Sequence, residues 1–100
     1  MGVSTKLTND GNHLTVCVDG RFDFGLYEDF RHAYENVASS GTNFSVDLAR
    51  ASYMDSSALG MLLLLKEHVG DSKSVDILNS SEEVKSVLKI ANFDKLFNMP

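Results

Sequence analysis

In parts of the chain, hydrophobic positions alternate with polar ones, which is the two-residue period of a strand with one buried face. The clearest case is the segment 13–18, where Leu14, Val16 and Val18 share one face. A turn signal at 10–12, Asp-Gly-Asn, predicts that this segment pairs with the preceding one as a hairpin. The strands predicted from alternation, or from short β-branched and apolar runs, span 3–9, 13–18, 44–48 and 74–78.

In two other segments apolar residues recur every three or four positions, which is the period of a helix with one buried face. The helices predicted in this way span 26–38 and a segment that follows Ser80, and a continuous apolar run predicts another helix over 57–69. A serine and Glu83 are expected to form a capping box at the start of the third helix, and residues 93–99 to add a last helical turn. Strands that alternate with helices predict an α/β fold, with parallel pairing where a helix connects two strands.

The second predicted helix is apolar on most sides. Residues 61–65 are a methionine followed by four leucines, so most of them are expected to be buried between the sheet and a neighbouring helix. If Met61 or Leu62 stays partly exposed, it forms the nonpolar centre of a partner surface, with the polar segment 66–68 at its wetter end. Gly60 weakens the helix by about 1 kcal/mol relative to alanine. Its presence predicts close approach of another backbone, inside the fold or from a partner.

The composition is that of one ordinary domain, predicted to span 1–100. Hydrophobic residues make up 43% of the chain and there is one proline, which allows a packed core without disulfides or metals. Cys17 is the only cysteine and is expected to pack as a small hydrophobic residue in a reducing cytosol. No apolar segment approaches the ~20 residues that span a bilayer, and the N-terminus lacks a secretory pattern. We therefore expect a cytoplasmic protein without membrane insertion.

The charge balance bears on the class of partner. Nine basic and fourteen acidic residues give a net charge of −5, which argues against electrostatic binding to the phosphate backbone of a nucleic acid. The sequence has no stripe of lysine and arginine and no interleaving of aromatic and basic residues. No nucleic-acid partner is expected, so any control of transcription would act through another protein.

Two adjacent serines follow Asp55 where a buried strand gives way to an apolar helix. The first amide groups of a helix have no partners inside it, and their aligned dipoles favour negative charge. An oxyanion on Ser56 or Ser57 is therefore tolerated, and a hydroxyl here can carry a regulatory phosphate. The alternative is that one serine simply caps the helix, which is a common role of serine at such positions.

Residues 55–60, Asp-Ser-Ser-Ala-Leu-Gly, with Tyr53 and Met54 before them, resemble the signature of STAS domains of the anti-anti-sigma type. Residues 18–23 resemble the family's strand, glycine and aspartate turn, so the resemblance covers nearly the whole chain. Ala58 stands where many members have glycine, a small-for-small change. The resemblance implies a stand-alone STAS domain, an α/β fold with a mixed four- to five-stranded sheet and helices packed mainly on one face.

In this family the serine directly after the aspartate is phosphorylated, and that position is Ser56. The resemblance implies that the unphosphorylated form binds an anti-sigma factor or a related partner-switching protein, and that phosphorylation blocks this binding. A serine kinase of the histidine-kinase-like ATPase type would add the phosphate. A PP2C-type phosphatase, alone or within a response regulator, would remove it. No cofactor is expected on this chain, because ATP and metal ions belong to those enzymes.

Residues of both motifs are predicted to form the surface for the partner or kinase. Asp23 is expected to accept hydrogen bonds or to orient the complex, although a purely turn-forming aspartate is an equal alternative. The other positions predicted to contact the partner or kinase are Arg21, Phe22, Phe24, Asp55, Ser57, Leu59 and Gly60. Three of them form a charged and aromatic rim, namely Arg21, Phe22 and Phe24. Only Arg21 and Arg50 are expected to compensate the acidic setting of a phosphate.

Other classes of function fit the sequence less well. A serine hydrolase would need a base and an oxyanion site, but the Gly-x-Ser-x-Gly motif is absent and the histidines show no recognisable relation to Ser56. The histidines and the cysteine also lack the spacing of metal ligands, so neither an enzyme nor a metal site is expected. The main alternative is a STAS binding module of a different assembly, such as a stress-sensing complex, a lipid-transport system or a biofilm-control pathway.

Overall fold

The computed structural model describes residues 2–8, 11–37, 41–70 and 73–100. One sheet contains four strands in the order β1-β2-β3-β4. The strands are Gly2–Thr8 (β1), His13–Phe22 (β2), Asn43–Met54 (β3) and Val75–Leu78 (β4). The helices are Tyr27–Tyr34 (α1), Ser56–Val69 (α2) and Glu82–Ile90 (α3), with single 3-10 turns at Phe24–Leu26 and Phe93–Lys95. The predicted α/β class is confirmed, with four strands.

The sheet is mixed, as expected. Strand β1 pairs with β2 in the antiparallel direction, whereas β2 with β3 and β3 with β4 are parallel. Parallel neighbours need a crossover connection, and the helices α1 and α2 lie in these connections. Asp10 of the predicted hairpin turn and Ala38 at the predicted end of the first helix lie outside the described residues.

Both central strands are longer than predicted. Strand β2 continues through Gly20, whose φ of 92° lies in the left-handed region, and its pairing with β3 shifts register on either side of that glycine. The alternation of buried and exposed side chains is broken at such irregularities. The strand predicted from alternation alone is therefore too short. The extension to Phe22 and Met54 brings the two sequence motifs side by side.

The core lies on the side of the sheet that the helices cover. Strand residues Leu14, Val16 and Val18 are buried, as the alternating pattern predicted. They belong to one cluster with side chains from all three helices, including Phe30, Tyr34, Leu62, Leu65, Val84 and Leu88. Full burial of a leucine contributes about 1.5–3 kcal/mol, so this layer fixes α2 firmly on the sheet.

Two details near the C-terminus differ from prediction. Helix α3 is capped by Ser81, whose hydroxyl accepts a hydrogen bond from the Val84 amide at 3.2 Å. The reciprocal capping box is therefore wrong, because Glu83 lies one position too early to reach back to the cap. The last helical turn is confined to Phe93–Lys95, and Asn98 then pairs with the edge of β4. No helix in the described ranges is long and apolar enough to cross a bilayer.

Candidate functional site

The carboxyl ends of the two central parallel strands place both sequence motifs next to each other. Arg21 lies opposite Tyr53, and Phe22 lies opposite Met54. Each strand is followed at once by an aspartate, Asp23 or Asp55. The strand register alone therefore brings together two motifs that are far apart in the sequence.

The two aspartates have the same local role. Asp23 precedes the 3-10 turn and accepts a hydrogen bond from the Gly25 amide through Oδ1 at 3.0 Å. Asp55 precedes α2 and accepts from the amides of Ser57 and Ala58 at 3.0 and 3.3 Å. The idea that a serine caps α2 is therefore wrong, because the aspartate occupies the N-cap position and satisfies the otherwise unpaired amides.

The hydroxyl of Ser57 is also held by this cap. It donates to Oδ1 of Asp55 at 2.5 Å, so three hydrogen bonds end on one carboxylate oxygen. The hydrogen bond from the Ser57 hydroxyl lowers the pKa of Asp55 below its ordinary value, and partial burial opposes this. The Ala58 and Ser57 amides and the charge of Arg21 lower the pKa further. Asp55 is thus held ionised, and the Ser57 hydroxyl is committed to the fold.

Ser56 differs from its neighbour. It is the first residue of α2 and its side chain is exposed, whereas that of Ser57 is half-buried. Within the described ranges, no hydrogen bond ends on the Ser56 hydroxyl. An enzyme that approaches from solvent therefore reaches this oxygen without first breaking the helix cap.

Arg21 lies across the same strand end. Its Nε is 3.4 Å from Oδ2 of Asp23, and its guanidinium carbon lies 4.1 Å from the centre of the Tyr53 ring. The first contact is an ion pair and the second a cation–π contact. Asp23 therefore caps the turn with one oxygen and faces Arg21 with the other.

Of the two aromatic residues predicted for the rim, one is exposed and the other is buried. Phe24 is 67% exposed and stacks on Tyr27, with ring centres 5.3 Å apart. Phe22, however, is 0% exposed and packs against Phe30 in the core, so its predicted role in a partner surface is wrong. It points inward because its position on β2 falls on the face that the helices cover, whereas Arg21 beside it points outward.

The exposed side of α2 continues the site away from Ser56. Leu59 is half-buried against the core, Gly60 is exposed, and Leu63 and Leu64 are 42% and 43% exposed. Space is open around Gly60, where an added Cβ would meet no atom within 4 Å. The prediction that another backbone approaches Gly60 closely inside the fold is therefore wrong. Approach by a partner stays a prediction.

The expected burial of most of residues 61–65 is confirmed for Met61, Leu62 and Leu65, and the alternative of an exposed centre at Met61 or Leu62 is wrong. In the polar segment 66–68 only Glu67 is exposed. Lys66 donates to the carbonyls of Gly70 and Lys73, and His68 is half-buried and hydrogen-bonded to a backbone carbonyl. Helical periodicity turns the first leucine of the run inward and the next two outward, which a run of identical residues does not reveal.

A groove of about 750 Å³ lies between α1 and α2, and the exposed Leu64 forms part of its wall. Its walls include Tyr27, Arg31 and Tyr34 from α1, and Leu64 and Glu67 from α2. The groove does not include Ser56. It extends the exposed face of α2 into a mixed apolar and charged surface.

The site lacks the parts of a self-contained catalyst among the described residues. His13 is hydrogen-bonded to Ser45, His68 to the Val37 carbonyl, and His32 lies near two glutamates, so no histidine activates Ser56. No group of three or more histidine, cysteine, aspartate or glutamate side chains in the described ranges could hold a metal ion.

Sequence reasoning missed three residues of this surface. The sequence presents Tyr53 only as part of the motif, and Leu63 and Leu64 only as part of an apolar run. The signal for Tyr53 was present, since a longer β2 would have placed it opposite Arg21. For the leucines, the helical phase could have been set from Asp55 as N-cap.

Fold and site together define a small α/β binding module with a hydroxyl on its surface. The family profile described as "Mlab, STAS domain" matches residues 5–98, so the chain belongs to the STAS domain family. The STAS-domain containing protein PA14_20770 of Pseudomonas aeruginosa is 47% identical over 100 residues, which cover 99% of each chain.

Two solved structures of the protein SpoIIAA have the same fold. Its phosphorylated form, from Bacillus, where it is a cell fate determinant, superimposes with a TM-score of 0.75 at 17% identity, covering 99% of this chain and 91% of that one. The unphosphorylated form of this anti-sigma factor antagonist superimposes with a TM-score of 0.70 at 19% identity, covering 89% and 83%. At these identities the likeness concerns the fold.

Proposed function

We propose that this STAS domain is a partner-switching regulator controlled by phosphorylation of Ser56. The observation that carries the proposal is the division of roles between the adjacent serines. The Ser57 hydroxyl is bound to Asp55 at 2.5 Å, whereas the Ser56 side chain is exposed at the start of α2. Modification of Ser57 would disrupt the cap, and modification of Ser56 leaves it in place.

The proposed reaction is supplied by other proteins. A serine kinase of the histidine-kinase-like ATPase type transfers the γ-phosphoryl group of ATP to Oγ of Ser56, so that ADP leaves and the hydroxyl proton is released. A PP2C-type phosphatase hydrolyses the same P–O bond with water and returns the hydroxyl and inorganic phosphate. The unphosphorylated form binds an anti-sigma factor or a related partner.

Charge explains how the phosphate would act. It adds about −1.5 to −2 charge at neutral pH, beside Asp55 and near Asp23. Like charges forced together at an interface cost several kcal/mol, and each 1.4 kcal/mol reduces affinity about tenfold. The partner would contact Ser56, the exposed Gly60 and the leucine pair Leu63 and Leu64.

The comparisons support this proposal at the level of the fold. SpoIIAA, an anti-sigma factor antagonist, has been solved both unphosphorylated and phosphorylated, and both forms superimpose on this chain. A fold that persists in both states fits a switch that changes the surface and leaves the core in place.

The test compares proteins captured from extracts of the source cells with Ser56→Ala and Ser56→Asp variants. We expect a partner to be captured by the alanine variant and lost with the aspartate variant. The matched control is Ser86→Asp, which adds the same charge at an exposed serine of α3 and should capture as the wild type does. Peptide mapping of the protein isolated from cells should locate phosphate on Ser56.

Two results would contradict the proposal. Equal capture by the alanine and aspartate variants would show that charge at Ser56 does not control binding. Phosphate found on Ser57 in place of Ser56 would show that the cap does not protect its hydroxyl.

A second candidate is a STAS binding module of a different assembly that needs no phosphate. The matching family profile favours it, because that profile carries the description "Mlab, STAS domain". In this case both Ser56 variants capture the same proteins, and the identity of those proteins names the assembly.

A further inference from the structure

Arg21 is held next to the proposed modification site by two contacts of different kinds. Its guanidinium carbon lies 4.1 Å from the centre of the Tyr53 ring, and its Nε lies 3.4 Å from Oδ2 of Asp23. The strand register fixes this place, because Arg21 is paired with Tyr53, two residues before Asp55.

The two contacts differ in how easily they can be exchanged. The ion pair with Asp23 is long, and the Arg21 side chain is 64% exposed, so the pair is of the weak surface type. The Tyr53 ring offers no competing charge and limits where the guanidinium can move. Arg21 is therefore kept at the strand end, and its charge is paired only weakly.

We infer that Arg21 binds the phosphate of phosphorylated Ser56 and exchanges Asp23 for it while staying on the Tyr53 ring. A phosphate dianion offers three acceptor oxygens to the planar, forked guanidinium, which is a stronger match than one carboxylate oxygen at 3.4 Å. Arg21 already lies near enough to Asp55, the residue before Ser56, to interact with its charge. This inference rests on the proposed modification of Ser56.

The exchange would make phosphorylation change the surface at two places. The phosphate appears at the start of α2, and Oδ2 of Asp23 loses its cation at the end of β2. The net gain of negative charge comes from the phosphate alone, and the exchange moves part of it from the start of α2 to Asp23. Asp23 would then take part in the switch although it is never modified.

The experiment uses the full chain with phosphoserine installed at position 56 by genetic encoding, so that no kinase is needed. A titration followed by phosphorus NMR gives the second pKa of the phosphate, which is about 6 without a partner. We expect this pKa to be about half a unit lower in the wild type than in Arg21→Ala, as for a surface ion pair. Arg21→Lys should keep part of the shift, since it retains the charge and loses the fork.

The matched control is Arg50→Ala. Arg50 is also an exposed arginine on a central strand and was expected to compensate the phosphate, but the structure does not place it at the strand end. It is paired in register with Asp19 and lies 3.9 Å from its carboxylate, so that expectation is corrected. Its removal should leave the phosphate pKa unchanged. The inference is overturned if Arg21→Ala leaves the pKa as in the wild type, or if Arg50→Ala moves it equally. Because the phosphate is installed genetically, this titration tests only the role of Arg21. The proposed function is tested separately, by looking for phosphate on Ser56 in protein isolated from cells.

Discussion

Replacing Ser57 with alanine tests the structural division between the two serines most directly. The change removes the hydroxyl that donates to Oδ1 of Asp55 at 2.5 Å. It leaves in place the two hydrogen bonds that backbone amides donate to the same oxygen. A typical hydrogen bond contributes about 1 kcal/mol to stability, and one to a charged group more. Because the Ser57 side chain is half-buried, we expect a loss of about 1 kcal/mol. For a domain of this size that lowers Tm by about 4–8 °C.

The matched variant is Ser56→Ala, one residue earlier on the same helix. Its side chain is exposed, so the free energy of unfolding should stay within about 0.5 kcal/mol of the wild type. Urea unfolding followed by far-ultraviolet circular dichroism measures both variants, and equal m-values would show that the comparison is sound.

The pH dependence adds a second readout. The pKa of Asp55 is lowered in the folded protein, first by the Ser57 hydroxyl. Its ionised form therefore stabilises the fold above the ordinary pKa, and this contribution is lost as the pH falls through the lowered value. The difference between wild type and Ser57→Ala should thus be full at neutral pH and shrink as the pH falls below the ordinary pKa of an aspartate. A difference that stays constant over this range, or equal losses for both serine variants, would refute the reasoning.

Three further predictions concern α2. Gly60→Ala should raise the free energy of unfolding in urea by about 1 kcal/mol, because the added Cβ meets no atom within 4 Å. If a partner backbone packs there, the same change in a Ser56→Ala background should weaken capture, and unchanged capture would place the partner elsewhere. Leu62→Ala should cost about 2–5 kcal/mol in the same assay. Leu63→Ser should leave stability nearly unchanged but reduce partner capture, with exposed Ile90→Ser on α3 as control; equal effects of both serine substitutions would remove the leucine pair from the interface.

The sequence was sufficient where one physical signal dominated. Alternation placed Leu14, Val16 and Val18 in the core, because one face of β2 is buried under helices. The apolar run and the glycine that follows it predicted α2 over 57–69, and the observed helix begins one residue earlier. The family motif marked Asp23, Asp55 and Ser56, and their proximity then followed from the parallel order of the strands.

The rest depended on geometry that the pattern does not contain. The register shifts around Gly20 lengthen β2, and only that extension pairs Arg21 with Tyr53 and turns Phe22 into the core. Similarly, which leucines of α2 stay exposed depends on the rotation of the helix. Asp55 fixes where the helix begins, and the choice between aspartate and serine as cap depends on atomic positions.

The way α2 begins bears on how a phosphate can act in so small a domain. Three hydrogen bonds hold the carboxylate of Asp55, and the buried side chains of α2 fix the helix on the sheet. A rearrangement driven by phosphate would have to break this cap and this packing together. A change of surface charge needs neither, and a repulsion of about 3 kcal/mol already lowers affinity by about a hundredfold. The proposed switch therefore requires a rigid helix start, because rigidity keeps the added charge in the path of the partner.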